Sequence, residues 1–151
     1  MEKRIRLVAV VVTLCFTCLP AGARTTDGLV ADLSTGHIDR VRVNLNAWGS
    51  NLGFETTVLG DDPRIAALIR LVREAEPGTG HKCANVGAIR VFMANGGRIG
   101  LGLLPSHDEI GFELRLYLGD EFVGTVSVDR NNLLSVLEDM GVPRDAPSLR
   151  P

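Results

Sequence analysis

The chain has 151 residues, 45% of them hydrophobic and 23% charged, with 16 basic against 18 acidic side chains. That slightly acidic balance excludes a dedicated nucleic-acid binder, which would present a clearly basic domain. The length fits one ordinary domain around a single core.

The opening Met1-Glu2-Lys3-Arg4-Ile5-Arg6 is basic, and residues 7–19 form an uncharged, mostly apolar run that leads to Ala21-Gly22-Ala23. A positive start, a short apolar stretch and an Ala-x-Ala site are the parts of a cleavable secretory signal peptide. The run is shorter than the roughly 20 residues a membrane-spanning helix needs. The expectation is therefore export to the periplasm or the extracellular space, with no integral membrane segment after cleavage. Losing residues 1–23 would leave 128 residues and, with Lys3, Arg4, Arg6 and Glu2 gone, a net charge of −4. Cys15 and Cys18 would leave with the signal, so Cys83 could not staple the fold within one chain.

Residues 24–37 are polar with two glycines and read as a flexible arm. In residues 38–45, Val41, Val43 and Leu45 alternate with Arg40, Arg42 and Asn44, the period of a half-buried strand. A turn around Trp48, read as a core anchor, leads to a shorter strand over residues 54–59. Asp61-Asp62-Pro63 then opens a helix, with an acidic N-cap and a proline where its missing N–H costs nothing. Ile65, Leu68, Ile69 and Val72 make one apolar stripe, and Pro77-Gly78 closes the segment.

From Cys83 the period becomes two. Ile89, Val91 and Met93 alternate with Ala88, Arg90 and Phe92; Ile99, Leu101 and Leu103 follow the Asn95-Gly96-Gly97 turn. Ile110, Phe112, Leu114, Leu116 and Leu118 form a third apolar set opposite Glu113, Arg115 and Tyr117. Residues 122–128 give a fourth strand, and Asp129 starts a helix that Gly141 ends. Residues 142–151 hold three prolines and read as a disordered tail. The order β(β)αββββα predicts a two-layer α+β sandwich over residues 38–141, an antiparallel meander of four to six strands with two helices on one face.

Two candidate sites follow. A three-residue turn pairing 94 with 98 makes paired positions sum to 192, which puts both apolar sets on one face. Extended, that register places Asn85 opposite His107, Cys83 opposite Glu109, and Phe92 over Gly100. His81, Cys83 and His107 would then converge as ligands for zinc or copper, or as a reactive thiol beside an imidazole. A small buried cysteine with loop-capping histidines is the plainer reading, in which no cofactor is bound. A Cys83–His107 hydrolase lacks an oxyanion hole and an orienting third residue. The second candidate is the outward sheet face, with Arg90, Phe92, Arg98, Arg115 and Tyr117. Arginine and tyrosine suit a protein interface, so the preferred expectation is a non-enzymatic domain that binds a protein partner there. A solvated face is the alternative. No complete phosphate-loop, Gly-x-Ser-x-Gly or His-Glu-x-x-His motif is present.

Overall fold

A computed structural model describes residues 25–46, 53–105 and 111–146, together with Leu149. The expected signal segment, Trp48, His107 and Glu109 lie outside the described residues. Along the chain come α1 (Thr26–Thr35), β1 (Ile38–Leu45), β2 (Phe54–Leu59), α2 (Pro63–Arg73) and β3 (Glu76–Pro77). They are followed by β4 (Gly87–Met93), β5 (Arg98–Leu103), β6 (Gly111–Leu118), β7 (Glu121–Asp129) and α3 (Arg130–Asp139).

The strands form one antiparallel sheet in the order β2-β1-β4-β5-β6-β7-β3. The fold is α+β, with seven strands rather than four to six and three helices rather than two among the described residues. Inward side chains of every strand from β1 to β7 except the two-residue β3 are buried, among them Val41, Val58, Ile89, Leu101, Leu114 and Val126. They share one core with Leu29 and Leu33 of α1, Ile65, Leu68 and Val72 of α2, and Leu133 and Leu137 of α3.

The two expected helices form for the expected reasons. Asp62 accepts a hydrogen bond from the Arg64 N–H at the start of α2, with Pro63 in the first turn. Asp129 accepts from the Asn132 N–H at the start of α3, and Gly141 ends that segment at φ +92°. Asp62 also receives the Arg64 guanidinium, which with the Arg64 N–H lowers its pKa to about 2.

Both ends of the fold correct the sequence expectation. Residues 26–35 are not a loose arm but α1, capped by the Thr25 hydroxyl on the Gly28 N–H. Leu29 and Leu33 lie four apart, so both face the core. At the other end Val142, Ala146 and Leu149 are buried rather than disordered. The Leu149 carbonyl accepts from Arg130, which ties this segment to the start of α3.

The β4–β5 hairpin also corrects the predicted register. Val91 pairs with Ile99, Ile89 with Leu101 and Arg90 with Gly100, so paired positions sum to 190, not 192. The loop is residues 94–96, closed by Met93 N–H on the Gly97 carbonyl and Gly96 N–H on the Met93 carbonyl. Gly96 takes the left-handed conformation (φ +84°) that completes such a three-residue loop. A two-residue shift preserves which side chains face inward but changes every cross-strand neighbour.

Candidate functional site

The face opposite the helices can be read in rows across the strands. One row runs Thr57, Arg42, Arg90, Gly100, Tyr117 and Phe122; the next runs Glu55, Asn44, Ala88, Gly102, Arg115 and Thr125. An irregularity between Leu116 and Tyr117 shifts the β6–β7 pairing by one residue. It brings Phe122, 55% exposed, edge-on to Tyr117 at 5.8 Å between ring centres. Because Gly100 and Gly102 carry no side chains, β5 lies low between taller neighbours, open at Gly100 and covered by Asn85 at Gly102. The result is a cavity of about 300 Å³ with Ala88, Gly100 and Gly102 as its floor and Asn85, Arg90, Tyr117 and the Arg98–Asp120 pair around it.

The charges around this trough are unequally matched. Arg40 pairs with Asp39, Arg42 approaches Glu55 at 3.6 Å, and Arg98 reaches Asp120, which is 97% exposed. Arg90 is exposed and has no hydrogen bond or ion pair among the described residues. Arg115 donates to two neutral acceptors, the His81 carbonyl at 2.7 Å and Asn85 Oδ1 at 3.3 Å. Two guanidinium charges, one on each side of the glycine strip, thus lack a carboxylate partner among the described residues. Phe92 does not lie over Gly100: it faces Arg98 and carries the Arg40 guanidinium 4.4 Å above its ring and Arg42 at 5.8 Å. That stacking is a cation–π platform beside the trough rather than its roof.

Residues 78–86 account for the remaining half of the face. β3 pairs with β7 at the sheet's outer edge, whereas β4 lies between β1 and β5. The chain between them must pass the ends or the surface of β7, β6 and β5, and it does so as a strap. Glu113 accepts from the Thr79 N–H and hydroxyl, both at 2.7 Å, and from the Gly80 N–H at 3.2 Å. His81 Nε2 lies 3.6 Å from the same carboxylate. Burial alone would push the Glu113 pKa up, but the Thr79 and Gly80 donors and the nearby imidazole together hold it below the ordinary carboxylate range. Further on, Arg115 clamps His81 and Asn85, and Asn85 lies so close over Gly102 that a Cβ there would come within 2.5 Å of its Nδ2.

The predicted histidine–cysteine cluster rested on extending β4 back through Cys83 at a register of 192, and neither premise holds. β4 begins at Gly87, and His81 and Cys83 belong to the strap. His107 lies outside the described residues, so its relation to them is not fixed here; Cys83 is half-buried and not in a disulfide. Among the described residues no group of three or more His, Cys, Asp or Glu side chains is arranged to hold a metal ion.

Of the predicted face residues, the fold brings Arg90, Arg98 and Tyr117 together around the trough, puts Arg115 behind it in the clamp, and turns Phe92 towards Arg40. Asn85 and Asp120 were not anticipated. The signal for Asn85 was the two bare glycines, which leave room for a side chain arriving from elsewhere in the chain. No helix among the described residues is long and apolar enough to cross a membrane. Comparison with protein-family models, curated proteins and solved structures finds no significant match.

Proposed function

We propose that the protein is an exported, non-enzymatic binding domain that takes a protein partner on the open face of its sheet. The observation that carries this reading is the asymmetry of the sheet. Three helices close one face, while the other keeps a trough floored by Gly100 between two guanidinium groups that have no carboxylate partner among the described residues. Arginine and aromatic side chains around a concavity are the composition favoured where proteins meet. The groups that acid–base chemistry would draw on, Glu113 and His81, are engaged in holding the strap. Export rests on the signal-like character of residues 1–23.

The export part is tested by fractionating expressing cells and weighing the product. A mature chain starting at Arg24 outside the cytoplasm supports it, and a full-length cytoplasmic product contradicts it. The binding part is tested with Arg90→Glu combined with Arg40→Glu, leaving the strap-holding Arg115 in place. The expected result is loss of a partner that wild type captures and that rebinds after purification, with an unchanged thermal midpoint. Retained binding of the purified partner by the folded double variant contradicts the assignment.

A further inference from the structure

We infer that the trough over Gly100, between Arg90 and Asn85, seats a carboxylate side chain of an acidic polypeptide segment, with Arg90 as the group that recognises it. This rests on the reading of the open face as the partner surface and names the chemistry of that partner. Three observations lead to it.

The first is charge matching. The chain as a whole is acidic, yet its open face carries five arginines, at positions 40, 42, 90, 98 and 115. Among the described residues, three of them have a carboxylate within 4 Å, and the two that do not stand on β4 and β6, on either side of β5. A guanidinium offers a planar fork of N–H donors that fits a carboxylate with two parallel hydrogen bonds. Arg90 presents that fork unengaged at the trough's rim, and Asn85 stands at the opposite end of the same floor.

The second is shape. Directly across the pairing from Arg90 is Gly100, not a side chain, so an acidic group can descend beside the guanidinium to the level of the backbone. A Cβ on Gly100 would meet Tyr117 Cβ at 3.3 Å, so even one added carbon would begin to fill the space. At about 300 Å³ the cavity takes one or two side chains and is at the lower limit of pockets that enclose a whole small ligand.

The third is continuity. The row through the trough continues to Arg42, with Arg40 beside Phe92 one row away. Cross-strand neighbours stand roughly 5 Å apart, so a chain lying across the strands would meet further positive charge outside the trough. A free carboxylate would use only the trough; a polypeptide uses both.

The test is fluorescence anisotropy with the full chain and a labelled heptapeptide of alternating Ser and Glu, against the same peptide with Gln in place of Glu. The Glu peptide binds at low salt, weakens as salt rises, and loses about tenfold or more in affinity when Glu is replaced by Gln, the scale of a lost charge-assisted pair. Arg90→Gln, at an exposed position, weakens binding to a similar extent, and so does Gly100→Val, which fills the trough with a residue suited to a strand. An undiminished preference of Arg90→Gln for the Glu peptide over the Gln peptide overturns the inference. So does an affinity for glutarate that matches the peptide's, which would assign the trough to a free carboxylate. Binding that survives both Arg90→Gln and Gly100→Val but is lost with Arg40→Glu overturns the trough while leaving the open face as the partner surface. Binding of neither peptide by the folded wild-type chain overturns the acidic partner class.

Discussion

The two faces of this sheet are built from the same strands, residue by residue in alternation, yet they are organised by different physics. On the helix side, branched and aromatic side chains from six strands and three helices leave almost no exposed surface; Val41, Ile89, Leu101 and Leu114 are each 0% exposed. On the open side, half is closed by hydrogen bonds from residues 78–86 to Glu113 and Arg115, and half is left as a trough lined by arginines. The difference teaches where function can reside. Apolar packing tolerates little change, whereas an exposed polar face can be altered at small cost to stability.

That contrast can be broken at several points. The largest effect is expected at Phe112, 1% exposed beneath the helices: Phe112→Ala should cost about 3–5 kcal/mol in urea unfolding. A loss below about 1 kcal/mol would show that this face is not the stabilising one. Glu113→Gln attacks the strap. It removes the charge that three donors share and should cost about 1–2 kcal/mol, with faster amide exchange at Thr79 and Gly80 and little change in β4. Exchange that rises equally across the sheet would contradict a local role.

The same carboxylate makes the strap sensitive to acid. A carboxyl whose folded-state pKa lies below its unfolded value stabilises the fold fully above that unfolded value, about 4.3–4.5, and loses the contribution as pH falls through the folded-state value. Wild-type stability should therefore drop more steeply on acidification than that of Glu113→Gln, and parallel curves would contradict the sign. Gly96→Ala, forced into a left-handed conformation at φ +84°, should cost about 1–2 kcal/mol without altering the trough. Arg90→Gln is the smallest perturbation, within about 0.5 kcal/mol of wild type by the same unfolding measurement.

What the sequence made legible follows a physical divide between local and non-local signals. α2 and α3 could be read because cap and stripe fall within a dozen residues of each other, as Asp62, Pro63 and Val72 do, although α2 ends at Arg73, ahead of the expected stop at Pro77-Gly78. The inward and outward sets of β1, β4, β5 and β6 were legible because strand periodicity is local too. The hairpin loop was misplaced by one residue because Asn95-Gly96-Gly97 offers two glycines, and only the left-handed backbone at Gly96 distinguishes them. α1 was missed because Leu29 and Leu33 supply a two-residue stripe among polar neighbours, although Thr25 as cap was a usable sign.

The strap could not be read at all. Its course depends on Glu76 and Pro77 pairing with Ser127 and Val126, a contact between segments about fifty residues apart. Without it, β4 reads as extending back through Cys83, the extension from which the His81, Cys83 and His107 cluster was argued, whereas β4 begins at Gly87. The arginine face was identified from alternation, but its trough was not. Register decides that Arg90 stands opposite Gly100, and Asn85 comes from the strap.

The account's central claim is that the polypeptide partner lies on the open face and nowhere else. Amide chemical-shift mapping of the labelled protein, titrated with the alternating Ser–Glu heptapeptide, measures this directly. The account predicts shifts concentrated at Ala88, Arg90, Gly100, Gly102 and Tyr117, with α1, α2 and α3 unmoved. Shifts centred on the helices, or none on β5, would contradict it.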